Sequence, residues 1–60
     1  MITGAKCSET NGLAITTDKQ ETYVFSGIKP DCMTMRMANA CVGMIGMSLT
    51  EPEVRKRLGL

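Results

Sequence analysis

The chain has sixty residues, with seven Lys/Arg, six Asp/Glu and no His, giving a net charge of +1. That length allows one domain, spanning residues 1–60, which buries only about 60% of its unfolded surface and belongs with scaffolds that add disulfides, a metal or a partner subunit. A near-neutral chain sets up no strong field to select nucleic acid or acidic lipid. Without His, and with its acids scattered in turns and helix starts, it lacks the usual groups for general acid–base catalysis, so no enzyme is expected.

In chain order, Ile2 to Glu9 reads as a first strand, followed by Asn11-Gly12. Asn-Gly is a strong hairpin signal, because a type I′ turn needs positive φ at both central residues. This strand is the weakest of the set, since Gly4, Lys6 and Ser8 share a face and offer little to bury. Leu13, Ile15 and Thr17 then alternate with Ala14, Thr16 and Asp18, and Tyr23 and Phe25 alternate with Thr22 and Val24. Such period-two patterning marks two more strands. A three-residue loop at Asp18-Lys19-Gln20 sets Ile15 opposite Tyr23 and Leu13 opposite Phe25, collecting the large apolar residues on one face. A two-residue loop would oppose Asp18 and Glu21, which like charges disfavour. The chosen loop asks Gln20 to take a left-handed conformation, for which it is poorly suited.

Gly27 ends the strand pattern, and Pro30 followed by Asp31 opens a helix. Proline at the first helical position loses no hydrogen bond, and an acid there favours the positive end of the helix dipole. One helix is expected from Pro30 to about Ser48. Thr50-Glu51-Pro52-Glu53 then matches a capping box, starting a short helix with Val54 and Leu58 on one face and Gly59 as its stop. The predicted fold is an α+β unit of three strands in a meander followed by a long apolar helix and a short C-terminal one.

The run Cys32 to Leu49 carries one charge, Arg36, and five of the six methionines. Its helical pattern gives two stripes. Met33, Met37, Ala40, Met44 and Met47 form one, and Ala38, Cys41, Val42, Ile45 and Leu49 the other. One stripe covers the sheet, and the other calls for a second chain. Ala40, Gly43 and Gly46 recur every third residue, lowering the helix profile. Interior glycines cost about 1 kcal/mol each relative to alanine, which suggests close approach by another backbone. The expected oligomer interface is therefore Met37, Ala40, Cys41, Gly43, Met44, Ile45, Gly46 and Met47. The alternative is that the glycines bend the helix over its own sheet.

Three cysteines leave one thiol over from any internal disulfide set. With no signal-peptide pattern at Met1, a reduced, cytoplasmic protein is expected. On one continuous helix Cys32 and Cys41 would point to opposite sides, so they cannot share a metal, and no metal or cofactor is expected. Gly4-Ala5-Lys6-Cys7-Ser8 lacks the first glycine and the following helix of a phosphate loop. Arg36 and Asn39 interrupt the apolar run, which argues against membrane insertion. Arg55-Lys56-Arg57 is the sole basic cluster, and cations at the last turn of a helix are the ordinary pattern. Together with Lys19 it is the candidate contact for a partner or for nucleic acid.

Arg36 to Val54, with its Asn39-Ala40-Cys41-Val42-Gly43 core, resembles a stretch found in small bacteriophage-encoded accessory proteins. The pattern there is an apolar helix, a break and an acidic helix start. Here Met44-Ile45-Gly46-Met47 continues the apolar run where the break belongs. The resemblance covers about a third of the chain and carries no functional residue over. It implies a class whose members include proteins that bind and inhibit host proteins. The leading expectation is a small, non-catalytic homo-oligomer that binds a host or regulatory protein. The alternatives are a nucleic-acid-binding module and an oligomer that sequesters a small anion.

Overall fold

Three strands, β1 (Ile2–Ser8), β2 (Gly12–Thr17) and β3 (Thr22–Phe25), form an antiparallel meander in the order β1-β2-β3. The computed structural model describes residues 1–60 throughout. After the sheet come a 3-10 turn at Pro30–Cys32 and two helices, α1 (Met35–Met44) and α2 (Glu51–Arg57). The α+β order is the expected one. The helical half is divided differently.

The β2–β3 hairpin has the predicted register, with Leu13 opposite Phe25 and Ile15 opposite Tyr23. Gln20 takes the left-handed conformation, φ 63°. Its strain is offset locally. The Thr17 hydroxyl accepts from the amides of Lys19 and Glu21 at 3.3 and 3.2 Å, and the Gln20 amide donates to the Thr17 carbonyl at 3.1 Å. A threonine whose hydroxyl serves its own turn is what makes a glutamine tolerable there.

The β1–β2 connection departs from the type I′ expectation. Glu9, Thr10 and Asn11 make the loop, Ser8 pairs with Gly12, and only Gly12 has positive φ, at 83°. Gly12 is buried within β2, not exposed in a turn. A Cβ there would collide with the Phe25 carbonyl oxygen and lie 2.8 Å from Ser26 Cα. Close approach of the β3 backbone, more than turn geometry, selects glycine.

β1 forms because of an irregularity that the alternation pattern does not show. Its register shifts between Ile2 and Gly4, so that Ile2 pairs with Thr17 while Ala5 and Cys7 pair with Ile15 and Leu13. The extra residue moves Ile2 off the face of Gly4 and Lys6 and onto the core face, since a one-residue slip inverts side-chain direction. Ile2 is among the most buried residues of the chain.

The expected helix from Pro30 to Ser48 is not continuous. Pro30 begins only the 3-10 turn, and Met33 and Thr34 are extended, with ψ 118° and 162°. Thr34 is the N-cap of α1, its hydroxyl accepting from the Met37 amide at 3.1 Å. α1 stops at Met44, with Ile45 at ψ 128° and Gly46 at φ 87°. Past that turn the Gly46 amide donates to the Ile2 carbonyl, and the Ile2 amide to the Met47 carbonyl, each at 2.8 Å. A helix carried on to Ser48 would leave these edge groups of β1 unpaired, so pairing with Ile2 competes with further helical turns. Ten residues remain in α1, and no helix is long and apolar enough to cross a membrane.

α2 begins as the capping motif predicts. Glu53 accepts from the Thr50 amide at 3.0 Å and from the Thr50 hydroxyl at 2.9 Å. These bonds hold its carboxyl below the usual carboxylate range, the backbone donor contributing most. Gly59, at φ 81°, ends the helix. Val54 and Leu58 enter the core beneath the sheet. There they join Ile2, Leu13, Ile15 and Phe25 from the strands, Ile28 from the connection, and Cys41 and Met44 from α1. The opposite face of the sheet, which register gives to Lys6, Ala14, Thr16, Thr22 and Val24, is covered by no layer.

Candidate interaction surfaces

The broken helix redistributes the two stripes. Met44 and Cys41 are buried in the chain's own core, with Met33, Met37, Ala40 and Leu49 packed partly against it. Met47 is half-buried beside the β1 edge. The methionine stripe therefore lies on the core side. Of the second stripe, Ala38, Val42 and Ile45 face outward, Val42 at 74% and Ile45 at 47% exposure, and Met35 at the start of α1 is 83% exposed. Two expected interface residues, Cys41 and Met44, are thus already covered within one chain.

The two glycines of the expected seam lie in different local structures. Gly46 is the turn that ends α1, and Gly43 is an exposed helical residue with open space where a Cβ would sit. What the outer side of α1 does hold is a shallow groove of about 280 Å³, lined by Ala5, Met33, Ala38, Cys41, Val42 and Ile45. All six are apolar. Cys41 forms its floor, and burial, with a smaller contribution from Cys7, pushes its thiol above the ordinary value. Cys7 Sγ donates to the Ile28 carbonyl at 3.2 Å, and Cys32 is exposed in the 3-10 turn. All three cysteines are free, and nowhere do three or more His, Cys, Asp or Glu gather as a metal-binding group.

The polar candidates fall in two places. Lys19 lies at the tip of the β2–β3 hairpin, in a cleft shared with Met1, Thr17, Glu21, Tyr23 and the Ser48–Thr50 segment. Beside it Asp18 is ion-paired with the chain's N-terminal ammonium, whose hydrogen bond holds that carboxyl below its usual range. Arg55, Lys56 and Arg57 are exposed on α2. The structure does not bring Lys19 and the α2 cluster into one cleft.

Arg55 has a more particular position than a solvated last turn. Its guanidinium stands 5.3 Å above the centroid of the Phe25 ring, a cation–π distance, and its one ion pair is a 3.6 Å contact to Glu51. It borders a groove of about 340 Å³ between the end of β3 and α2, lined by Val24 to Ile28, Arg55 and Leu60. Sequence reasoning missed this groove. The pairing of Phe25 with Arg55 depends on where α2 docks, and no spacing within the chain encodes it. No family model, curated protein or solved structure matches this chain.

Proposed function

We propose that this protein is a small, non-catalytic interaction protein that self-associates through the outer side of α1 and acts by occupying a surface of a host or regulatory protein. The observation that carries this reading is the exposed apolar side of α1, where Ala38, Val42 and Ile45 adjoin Ala5 and Met33 with no polar group among them. Scattered apolar residues on a surface are ordinary, whereas a contiguous patch with a groove marks an interaction site. A sixty-residue domain is also of the size that gains most from a second copy. The resemblance of Arg36 to Val54 to phage-encoded accessory proteins supports the class.

Size-exclusion chromatography with light scattering tests the reading. The wild-type chain is expected to run as a dimer or larger at micromolar concentration. Val42→Asp puts a charge at an exposed position that no intramolecular contact needs, so it should give a monomer with an unchanged circular dichroism spectrum. Ile45→Asp, at a second exposed position lining the same groove, should weaken the assembly as well. A wild-type monomer at about 100 µM would sink the self-association reading.

A further inference from the structure

We infer that the groove between the end of β3 and α2, together with the outer edge of β3 that meets it at Val24, is a docking site for an extended acidic segment of a partner protein, added as a fourth strand. The inference rests on the reading of the chain as an interaction protein and names the chemistry of the partner. β3 is an edge strand, paired with β2 alone. The Thr17 amide donates to the Glu21 carbonyl at 3.0 Å, which makes that pair a hydrogen-bonded one. Antiparallel ladders alternate hydrogen-bonded and non-bonded pairs. In this register Tyr23 and Phe25 therefore direct their backbone groups to β2, while Thr22 and Val24 direct theirs outward. Nothing in the chain covers that row, and Val24 is 52% exposed.

An unpaired edge beside a groove is the geometry by which extended peptides add to sheets, main-chain bonds giving affinity and side-chain pockets giving specificity. The charge of the occupant follows from the far wall. Arg55 stands over Phe25 within the groove and is the charged residue that lines it. Its contact to Glu51 is long, and both side chains are about half exposed, so the pair holds the guanidinium weakly. A guanidinium offers five donors in a fork that fits a carboxylate. An acidic strand therefore pairs with the backbone of Val24 and the charge of Arg55 together. A second copy of this chain fits less well, because β3–β3 pairing brings a second Arg55 and no carboxylate to the same seam.

The test is a fluorescence-anisotropy titration with a fluorescein-labelled octapeptide of alternating valine and glutamate. The wild-type protein is expected to bind it in the micromolar range. Arg55→Glu should weaken binding at least tenfold. Val24→Pro removes an outward amide that no strand of the chain uses and should do the same. Because Val24→Pro carries some folding risk, a peptide N-methylated at its central valines provides a second arm that leaves the protein untouched, and it too should lose at least tenfold. No binding up to 1 mM overturns the inference, as does equal affinity for a valine–lysine peptide. Stronger binding of a single-stranded DNA 12-mer, lost in Arg55→Glu, overturns it in favour of nucleic acid. Light scattering on the same samples separates the two claims. An oligomer that ignores the peptide removes the groove alone, and a monomer that binds it removes the self-association alone.

Discussion

Gly12→Ala is the substitution that most directly tests how the sheet is assembled. Two costs add at this position. Holding an alanine at φ 83° costs about 1–2 kcal/mol, because Cβ crowds the following carbonyl in left-handed backbone. The new Cβ also collides with the Phe25 carbonyl oxygen and lies 2.8 Å from Ser26 Cα. Both are backbone atoms, at the last residue of β3 and the one after it, so relief means moving the end of that strand, and overpacking of this kind costs about 1–3 kcal/mol. The sum is roughly 2–5 kcal/mol. A sixty-residue domain has on the order of 3–9 kcal/mol to lose. Urea denaturation followed by circular dichroism measures it. Gly12→Asn separates the causes, since asparagine accepts left-handed backbone but still has a Cβ. If the contact with β3 governs, both variants are strongly destabilised. Recovery of wild-type stability by asparagine would refute the close approach and leave an ordinary turn glycine.

The remaining predictions concern pH and thiol chemistry. Glu53 has its folded pKa lowered by the Thr50 amide and hydroxyl, so its contribution is present above the unfolded carboxylate value and disappears as pH falls through the folded one. Glu53→Ala should therefore lower Tm at pH 7, and the difference should vanish in acid below both values. A difference that persists there would mean the carboxylate is not the stabilising species. Ellman's reagent should modify Cys32 rapidly and Cys41 only on opening of the fold, because one is exposed and the other is buried with a raised pKa. Equal rates for the two, measured on variants in which Cys7 and either Cys32 or Cys41 are replaced by Ser, would contradict the placement of Cys41 in the core.

Local signals were enough wherever a few neighbouring residues decide the outcome. The β2–β3 loop is legible because alternation on both sides and the repulsion of Asp18 and Glu21 leave one register standing. Thr50 and Glu53 are legible because a capping box is complete within four residues. The misreadings share another cause. Thr34 could have been read as an N-cap from its own type and position, but the proline four residues earlier gives a competing start signal. Gly46 reads equally as a helix-face glycine and a helix stop, and the choice is made by its pairing with Ile2, forty-four residues away. The Arg55 groove had no signal at all.

From sequence alone come the α+β class, the order of elements, the β2–β3 register and the second helix, since propensity, alternation and capping act within a few residues. Tertiary structure decided where α1 begins and ends, which stripe it buries and which glycine serves which purpose. Pairing of Gly46 and Met47 with the β1 edge shortens the helix and turns Cys41 and Met44 inward. That leaves Val42 and Ile45 outside, and the docking of α2 sets Arg55 over Phe25. The physical reason is that a backbone edge or a core site can be filled by residues far along the chain. Which of them fills it depends on the whole packing, and one segment's pattern does not contain that information.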